Sequence, residues 1–185
     1  MTLRYDLYWS FRSPYSYLVT PRLVALEKEY DVTANVRVVY PIAVRQPDFF
    51  AHSDPLWFTY FQRDVFRSAE FVGLPFAWAS PDPVVMDRKT RIYPREQPHI
   101  HRLTRLGQAA TERGRGLAFL NEVSATIWSG KIRDWHEGDH LAPPGVPGSI
   151  SPRWTPLSPP RPSASTPSSR PARKPSARAA TTACR

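Results

Sequence analysis

The chain of 185 residues holds one cysteine, Cys184, next to its last residue. A disulfide framework, a Cys-x-x-Cys redox pair and a cysteine zinc site are therefore excluded. No apolar run reaches the roughly eighteen residues of a membrane-crossing helix. Met1-Thr2-Leu3-Arg4-Tyr5-Asp6 lacks the basic-then-apolar order of a secretory leader, and a cytoplasmic protein is expected. Glycine-rich phosphate loops are missing as well: Gly107 and the turn Gly114-Arg115-Gly116 fit neither nucleotide motif. Acidic residues are absent from 143–185, where six Arg and one Lys carry +7 of the formal +9 charge. The other 142 residues carry only +2. The basic character belongs to the last stretch, so the overall charge alone is no argument for nucleic-acid binding.

What is present suffices for one core. Hydrophobic residues make up 41% and aromatics 12% of the chain, at a length that suits one domain. Leu3, Tyr5, Leu7 and Trp9 alternate with Arg4, Asp6 and Tyr8, the pattern of a strand with one better-buried face. Ser13-Pro14 then opens a helix, because Ser is a favoured N-cap and Pro a favoured first residue. That helix is expected to run to about Tyr30, with a kink at Pro21. Residues 34–40 alternate again as a second strand. Strand, helix and strand make a βαβ unit.

Helices follow. Leu56, Trp57, Tyr60, Phe61, Val65 and Phe66 predict one over 55–72, ended by Gly73-Leu74-Pro75. Ile100, Leu103, Leu106 and Ala110 predict one over 98–113, and Leu117, Leu120, Val123 and Ile127 one over 117–128. Asp134-Trp135-His136-Glu137 reads as the start of another. From Pro143 the composition changes: the last 43 residues hold eleven Pro and eight Ser. Such a segment cannot bury enough apolar surface to offset its chain entropy, and disorder is expected. A frameshift near Ala142 would produce this mixture of Pro, Arg, Ser, Ala and Thr; a natural Pro/Ser/Arg-rich linker is the alternative.

The chemistry concentrates in Tyr8-Trp9-Ser10-Phe11-Arg12-Ser13-Pro14-Tyr15-Ser16-Tyr17-Leu18, which joins the first strand to the first helix. A helix N-terminus presents backbone N–H groups without internal partners and the positive end of the macrodipole. It favours an anion, and a thiolate is one. Ser13-Pro14-Tyr15-Ser16, after an aromatic-rich strand and before a helical block holding Asp64-Val65-Phe66-Arg67 and Gly73-Leu74-Pro75-Phe76, resembles the 2-hydroxychromene-2-carboxylate isomerases. These belong with the kappa-class glutathione transferases in the DsbA-like branch of the thioredoxin superfamily. The resemblance covers about residues 4–142.

It implies an α/β fold: a thioredoxin-like (DsbA-like) βαβ core with an α-helical insertion, here about 45–130, in a domain spanning 1–142. The second half of that fold, with its cis-proline loop, two strands and helix, is not found. Val146-Pro147 is a superficial match to the loop, and an unpaired sheet edge is expected. The resemblance further implies glutathione as cofactor, Ser13 against its sulfur, Pro14 and Tyr15 at the cofactor, and a homodimer. It implies a glutathione-dependent cis–trans isomerase of an aromatic carboxylate, acting in aromatic catabolism. Arg12, Arg45 and Arg67 are candidates to clamp the carboxylate, although Arg12 reads as a surface arginine and Arg67 as the ion-pair partner of Asp64. Trp57, Tyr60 and Phe61 could stack the substrate or simply pack in the core.

Other readings stay open. Ser13 could be an N-cap only, and Ser16 reads as a structural first-turn residue. The enzyme could be a kappa-type glutathione transferase or another DsbA-like enzyme of unknown substrate. It could also be an inactive fragment, or a weak nucleic-acid binder through its basic tail; that tail lacks stacking aromatics apart from Trp154. His136 and His140 stand four apart and His99 and His101 two apart, but no third ligand at a known spacing supports a metal.

Overall fold

A computed structural model describes residues 2–50, 52–87, 92–138, 140 and 141. The order is β1 (Leu3–Trp9), α1 (Pro14–Glu29), β2 (Val32–Val38), α2 (Ile42–Arg45), a 3-10 turn at Pro47–Phe50, α3 (Pro55–Phe71), α4 (Ile100–Glu112) and α5 (Gly116–Trp128). β1 and β2 are parallel, with Leu3 opposite Val32 and Trp9 opposite Val38. Tyr5, Leu7 and Trp9 turn inward, as do Val32, Ala34, Val36 and Val38. Arg4, Asp6, Tyr8, Thr33, Asn35 and Arg37 face solvent.

β2 starts and ends two residues before the expected 34–40. Only Tyr30 and Asp31 separate it from α1, and the Val32 N–H already bonds the Tyr30 carbonyl at 2.8 Å. The Leu3 N–H bonds the Asp31 carbonyl at 3.0 Å, which fixes the register. At the other end Tyr40 precedes Pro41, which has no N–H to continue the ladder. α1 continues through Pro21.

The core lies between the inner sheet face and α1, α4 and α5. Trp9, Phe11, Phe119, Leu120, Ile100, Leu103 and Ile127 are fully buried in it. The Trp9 indole N–H is satisfied by the buried Thr20 hydroxyl at 3.0 Å, which in turn bonds the Ser16 carbonyl at 2.6 Å. α4 comes so close to the sheet that a Cβ on Gly107 would stand 3.0 Å from Val38 Cγ2 and 3.1 Å from Phe11 Cε2.

Between α3 and α4 the described residues 72–87 and 92–99 are pinned at many points. Gly73 turns the chain out of α3 at a φ of +69°. The Ala77 N–H bonds the Trp128 carbonyl at 2.8 Å. The Phe76 ring stacks on Trp128 with centroids 6.0 Å apart. Gln97, buried, accepts from the Val85 N–H and donates to the Val85 and Pro94 carbonyls. Residues 134–137 form a turn and not the helix expected there: Asp134 has a φ of +51°, and the Glu137 N–H closes onto the Asp134 carbonyl. Trp135 enters the core and donates to the Pro81 carbonyl at 2.8 Å. This Trp side chain therefore fastens the chain to the 72–87 segment, which a helix in that place would not do. The expected tail over 143–185, the frameshift near Ala142 and Val146-Pro147 all fall outside the described residues.

Gly107→Ala should lower stability by about 1–3 kcal/mol, because Phe11 and Val38 are packed on other sides and cannot both retreat. Urea unfolding read by far-UV circular dichroism checks this; an unchanged midpoint would contradict the close approach.

Candidate functional site

The strand-to-helix turn is held from below. Phe11 is fully buried, sits edge-on to Trp9 with centroids 4.6 Å apart, and its carbonyl accepts from the Trp128 indole at 3.1 Å. The chain then reverses into α1, where Ser13 is the N-cap. The Ser13 Oγ accepts from the Ser16 N–H at 3.3 Å, and the Ser13 N–H bonds the Ser10 carbonyl at 3.2 Å. Because Oγ acts as acceptor in the cap, its own hydrogen is free to donate outward. Pro14 has no N–H. The Tyr15 N–H meets no acceptor among the described residues. Ser13 is half-buried, Pro14 buried and Tyr15 exposed. The turn therefore keeps an open side carrying one hydroxyl, one backbone donor and the positive end of a sixteen-residue helix.

Tyr15 reaches across to α3. Its hydroxyl donates to Asp64 Oδ2 at 2.6 Å, and its ring lies edge-on to Phe61 at 5.8 Å. Burial and the adjacent Asp64 carboxylate both push the Tyr15 phenol well above its ordinary range, so it stays protonated. Tyr60 also donates to Asp64, at 3.3 Å. Asp64 is thus engaged by two phenols, and the expected Asp64–Arg67 ion pair does not form: Arg67 is exposed and no carboxylate among the described residues pairs with it.

Trp57 stacks on Phe61 at 5.2 Å with ring planes 8° apart, and Phe50 leans on Trp57 at 5.8 Å. Core packing does not describe Trp57 or Tyr60, whereas Phe61 is half-buried and Phe50 packs against the core. Trp57 is 40% and Tyr60 62% exposed, since α3 lays only its Val65 and Ala69 side fully inward.

Arg12 is the largest departure from expectation. It is no surface arginine: its side chain is 17% exposed. Nε bonds Asp82 Oδ1 at 3.0 Å and Nη2 bonds Oδ2 at 3.2 Å, a fork-to-fork pair. Nη1 reaches the Tyr93 hydroxyl at 3.4 Å, and the guanidinium lies 5.1 Å from the Tyr93 ring centre and 5.9 Å from that of Phe50. Burial opposes its charge, but the Asp82 carboxylate outweighs that and holds it firmly protonated. Arg45 is exposed at the end of α2 and donates to the Tyr40 carbonyl at 2.9 Å. The structure thus brings Ser13, Pro14, Tyr15, Arg12 and Trp57 into one connected neighbourhood, and leaves Arg45 and Arg67 on the surface.

Asp82, Phe50 and Tyr93 had no signal in the sequence, because they lie in non-periodic segments. The repeated Pro-x-Pro at 81–83 marks only a loop. Near Asp82, His99 and His136 place their rings 4.6 Å apart; among the described residues no three His, Cys, Asp or Glu side chains converge on a metal position.

Together these features define a thioredoxin-like α/β fold of the DsbA-like kind, a βαβ core with a helical insertion. A solved structure of a 2-hydroxychromene-2-carboxylate isomerase shares this fold, with a TM-score of 0.50 and 20% sequence identity over 71% of this chain. The match spans 59% of that isomerase's chain. No protein-family model and no curated protein sequence matches. No helix among the described residues is long and apolar enough to cross a membrane.

Burial and the neighbouring His136 lower the His99 pKa, with Asp82 pulling the other way. The unfolded chain then takes up this proton first. Stability should be full above about pH 6.5, the ordinary histidine value, and should fall as pH drops below it. His99→Gln should flatten that slope between pH 7 and 5, read from urea midpoints; an equal slope in both chains would exclude His99 as its source.

Proposed function

We propose that the chain is a glutathione-dependent cis–trans isomerase of an aromatic carboxylate, of the 2-hydroxychromene-2-carboxylate type, acting as a cytoplasmic enzyme of aromatic catabolism. The observation that carries this reading is the start of α1: Ser13 caps the helix with a lone pair and keeps its hydrogen, beside the unpartnered Tyr15 N–H. The residues present suit a thiolate, which asks for donors and positive potential and no protein cysteine.

Glutathione, when bound, supplies the nucleophilic sulfur that such an isomerisation needs. The chain's own part is to keep that sulfur charged. Ser13 donates its hydroxyl hydrogen and Tyr15 its N–H, while the helix macrodipole lowers the cost of the negative charge. Pro14 fixes the backbone angle that aims both donors outward. Tyr15, locked to Asp64, ties the turn to α3 and so to the wall formed by Phe61 and Trp57. An aromatic substrate suits that wall, because Trp57 is exposed and already stacked on the half-buried Phe61. Arg12, paired to Asp82, orients the turn; its remaining Nη hydrogens are the nearest guanidinium donors to Ser13 along the chain. Arg45 and Arg67 are exposed and could meet a substrate carboxylate only from the rim.

Conjugation of glutathione to an aromatic electrophile, the activity of a kappa-type transferase, would use the same donors. Parallel assays of a hydroxychromene carboxylate and a chloro-dinitro-aromatic separate the two, and the isomerisation should dominate.

The direct test is calorimetric titration with glutathione. Ser13→Ala should weaken binding about tenfold or more and cost about 1 kcal/mol of stability through the lost cap. Ser13→Asp keeps a capping oxygen but offers no hydrogen at neutral pH, so it should restore stability and still fail to bind. Binding equal to wild type in Ser13→Asp would make Ser13 a cap alone.

A further inference from the structure

Three consecutive residues, Ser80, Pro81 and Asp82, join two distant parts of the molecule. On one side the Ser80 carbonyl accepts from the Asp134 N–H at 3.0 Å. The Pro81 carbonyl accepts from the Trp135 indole at 2.8 Å. On the other side the Asp82 carboxylate grips Arg12 in its fork, one residue before the cap of α1. Trp135, buried, is thus linked to the helix start by an unbroken run of bonds. Two imidazoles border it. The His99 ring lies edge-on to Trp135 at 5.6 Å, and the His136 ring lies 5.9 Å from Trp135 and 4.6 Å from His99. The run of bonds therefore ends on groups that change charge near neutral pH.

We propose that protonation of His99 opens this strut and releases Arg12, so that acid weakens glutathione binding at the helix start by a route separate from the thiol's own titration. The inference rests on the glutathione reading of that site. The charged and titratable groups facing the pair are Asp82 on the strut, Arg102 on α4 and Glu137. Arg102 donates to the His136 carbonyl at 3.3 Å. His101, on the same helix, turns instead to the Tyr40 hydroxyl at 3.3 Å.

The two histidines are not equivalent. His136 is 27% exposed and has Glu137 Oε1 3.8 Å from Nε2, so its charge can be shared with water and a carboxylate. Its Nδ1 is buried with no partner among the described residues. Burial and His136 disfavour a charge on His99, and the carboxylate that favours it is Asp82, already held by Arg12. A charged His99 is stabilised in one of two ways. It draws Asp82 off the guanidinium, or it moves to water and parts the rings packed on Trp135, which frees the Pro81 carbonyl. Both leave Arg12 without its forked partner.

Hydrogen exchange of the full chain reads the strut without glutathione. The Trp135 indole N–H and the Arg12 Nε–H are assigned by their loss in Trp135→Phe and Arg12→Lys. At about pH 5 both should exchange at least about fivefold faster in wild type than in His99→Gln, and at about pH 7 the two chains should agree. Calorimetric titration with glutathione reads the site. Between those pH values wild type should lose at least about fivefold more affinity than His99→Gln, since protonation of the thiol is common to both and cancels in the ratio. Exchange that differs as expected, in chains that bind no glutathione at either pH, would keep the switch and remove the glutathione reading. Equal exchange in both chains at about pH 5 would overturn the switch. Equal loss of affinity in both chains would overturn its link to the site.

Discussion

The site depends on one anchored residue, Phe11. Its ring is sealed between Trp9 and Phe119, and its carbonyl is held by the Trp128 indole. An aromatic of this size, fully buried, contributes on the order of 3–5 kcal/mol against its removal. The chain cannot continue straight from β1, because the next buried position is directly beneath the helix layer. It has to turn, and Ser13-Pro14 supplies the cap and the backbone angle for the turn. The donors of the helix start are therefore fixed in space by packing that lies wholly outside the site.

The insertion completes what the βαβ unit begins. α3 brings the Trp57–Phe61 stack and Asp64 to the helix start, and the chain between α3 and α4 brings Asp82 and Tyr93 to Arg12. Neither piece makes the site alone. The half-exposed Asp82 carboxylate, 47% accessible, adds modestly to stability in water. Its larger effect is directional: a forked pair fixes the plane of the guanidinium one residue before the cap. Arg12 so held also spans the gap between two aromatic rings, Phe50 and Tyr93, and joins the 3-10 turn to the chain between α3 and α4.

Much of this could be read from the residues. Alternation gave both strands, apolar spacing gave α3, α4 and α5, and Ser13-Pro14 marked the start of α1 because capping is a local rule. The parts that escaped are those that local rules do not govern. Arg12 reads as surface because its partner lies seventy residues away in a loop without periodicity. Trp57 and Tyr60 fit a helical stripe, and such a stripe normally faces a core; only the tertiary packing reveals that α3 turns Val65 and Ala69 inward in their place. Arg67 was assigned to Asp64 by helical spacing, yet the phenols of Tyr15 and Tyr60 take that carboxylate. Trp135 resembles a helix start in sequence and proves to be a plug, because burial of an indole outweighs weak helix propensity over four residues.

The central claim is that the start of α1 keeps a foreign sulfur ionised. The most direct measurement is the ultraviolet thiolate absorbance of glutathione titrated with pH in the presence of excess protein. A free thiol ionises at about 8.5. Bound at Ser13 and the Tyr15 N–H, it should ionise at least about one pH unit lower, a difference of roughly 1.4 kcal/mol. A bound thiol that titrates where the free one does would contradict the account.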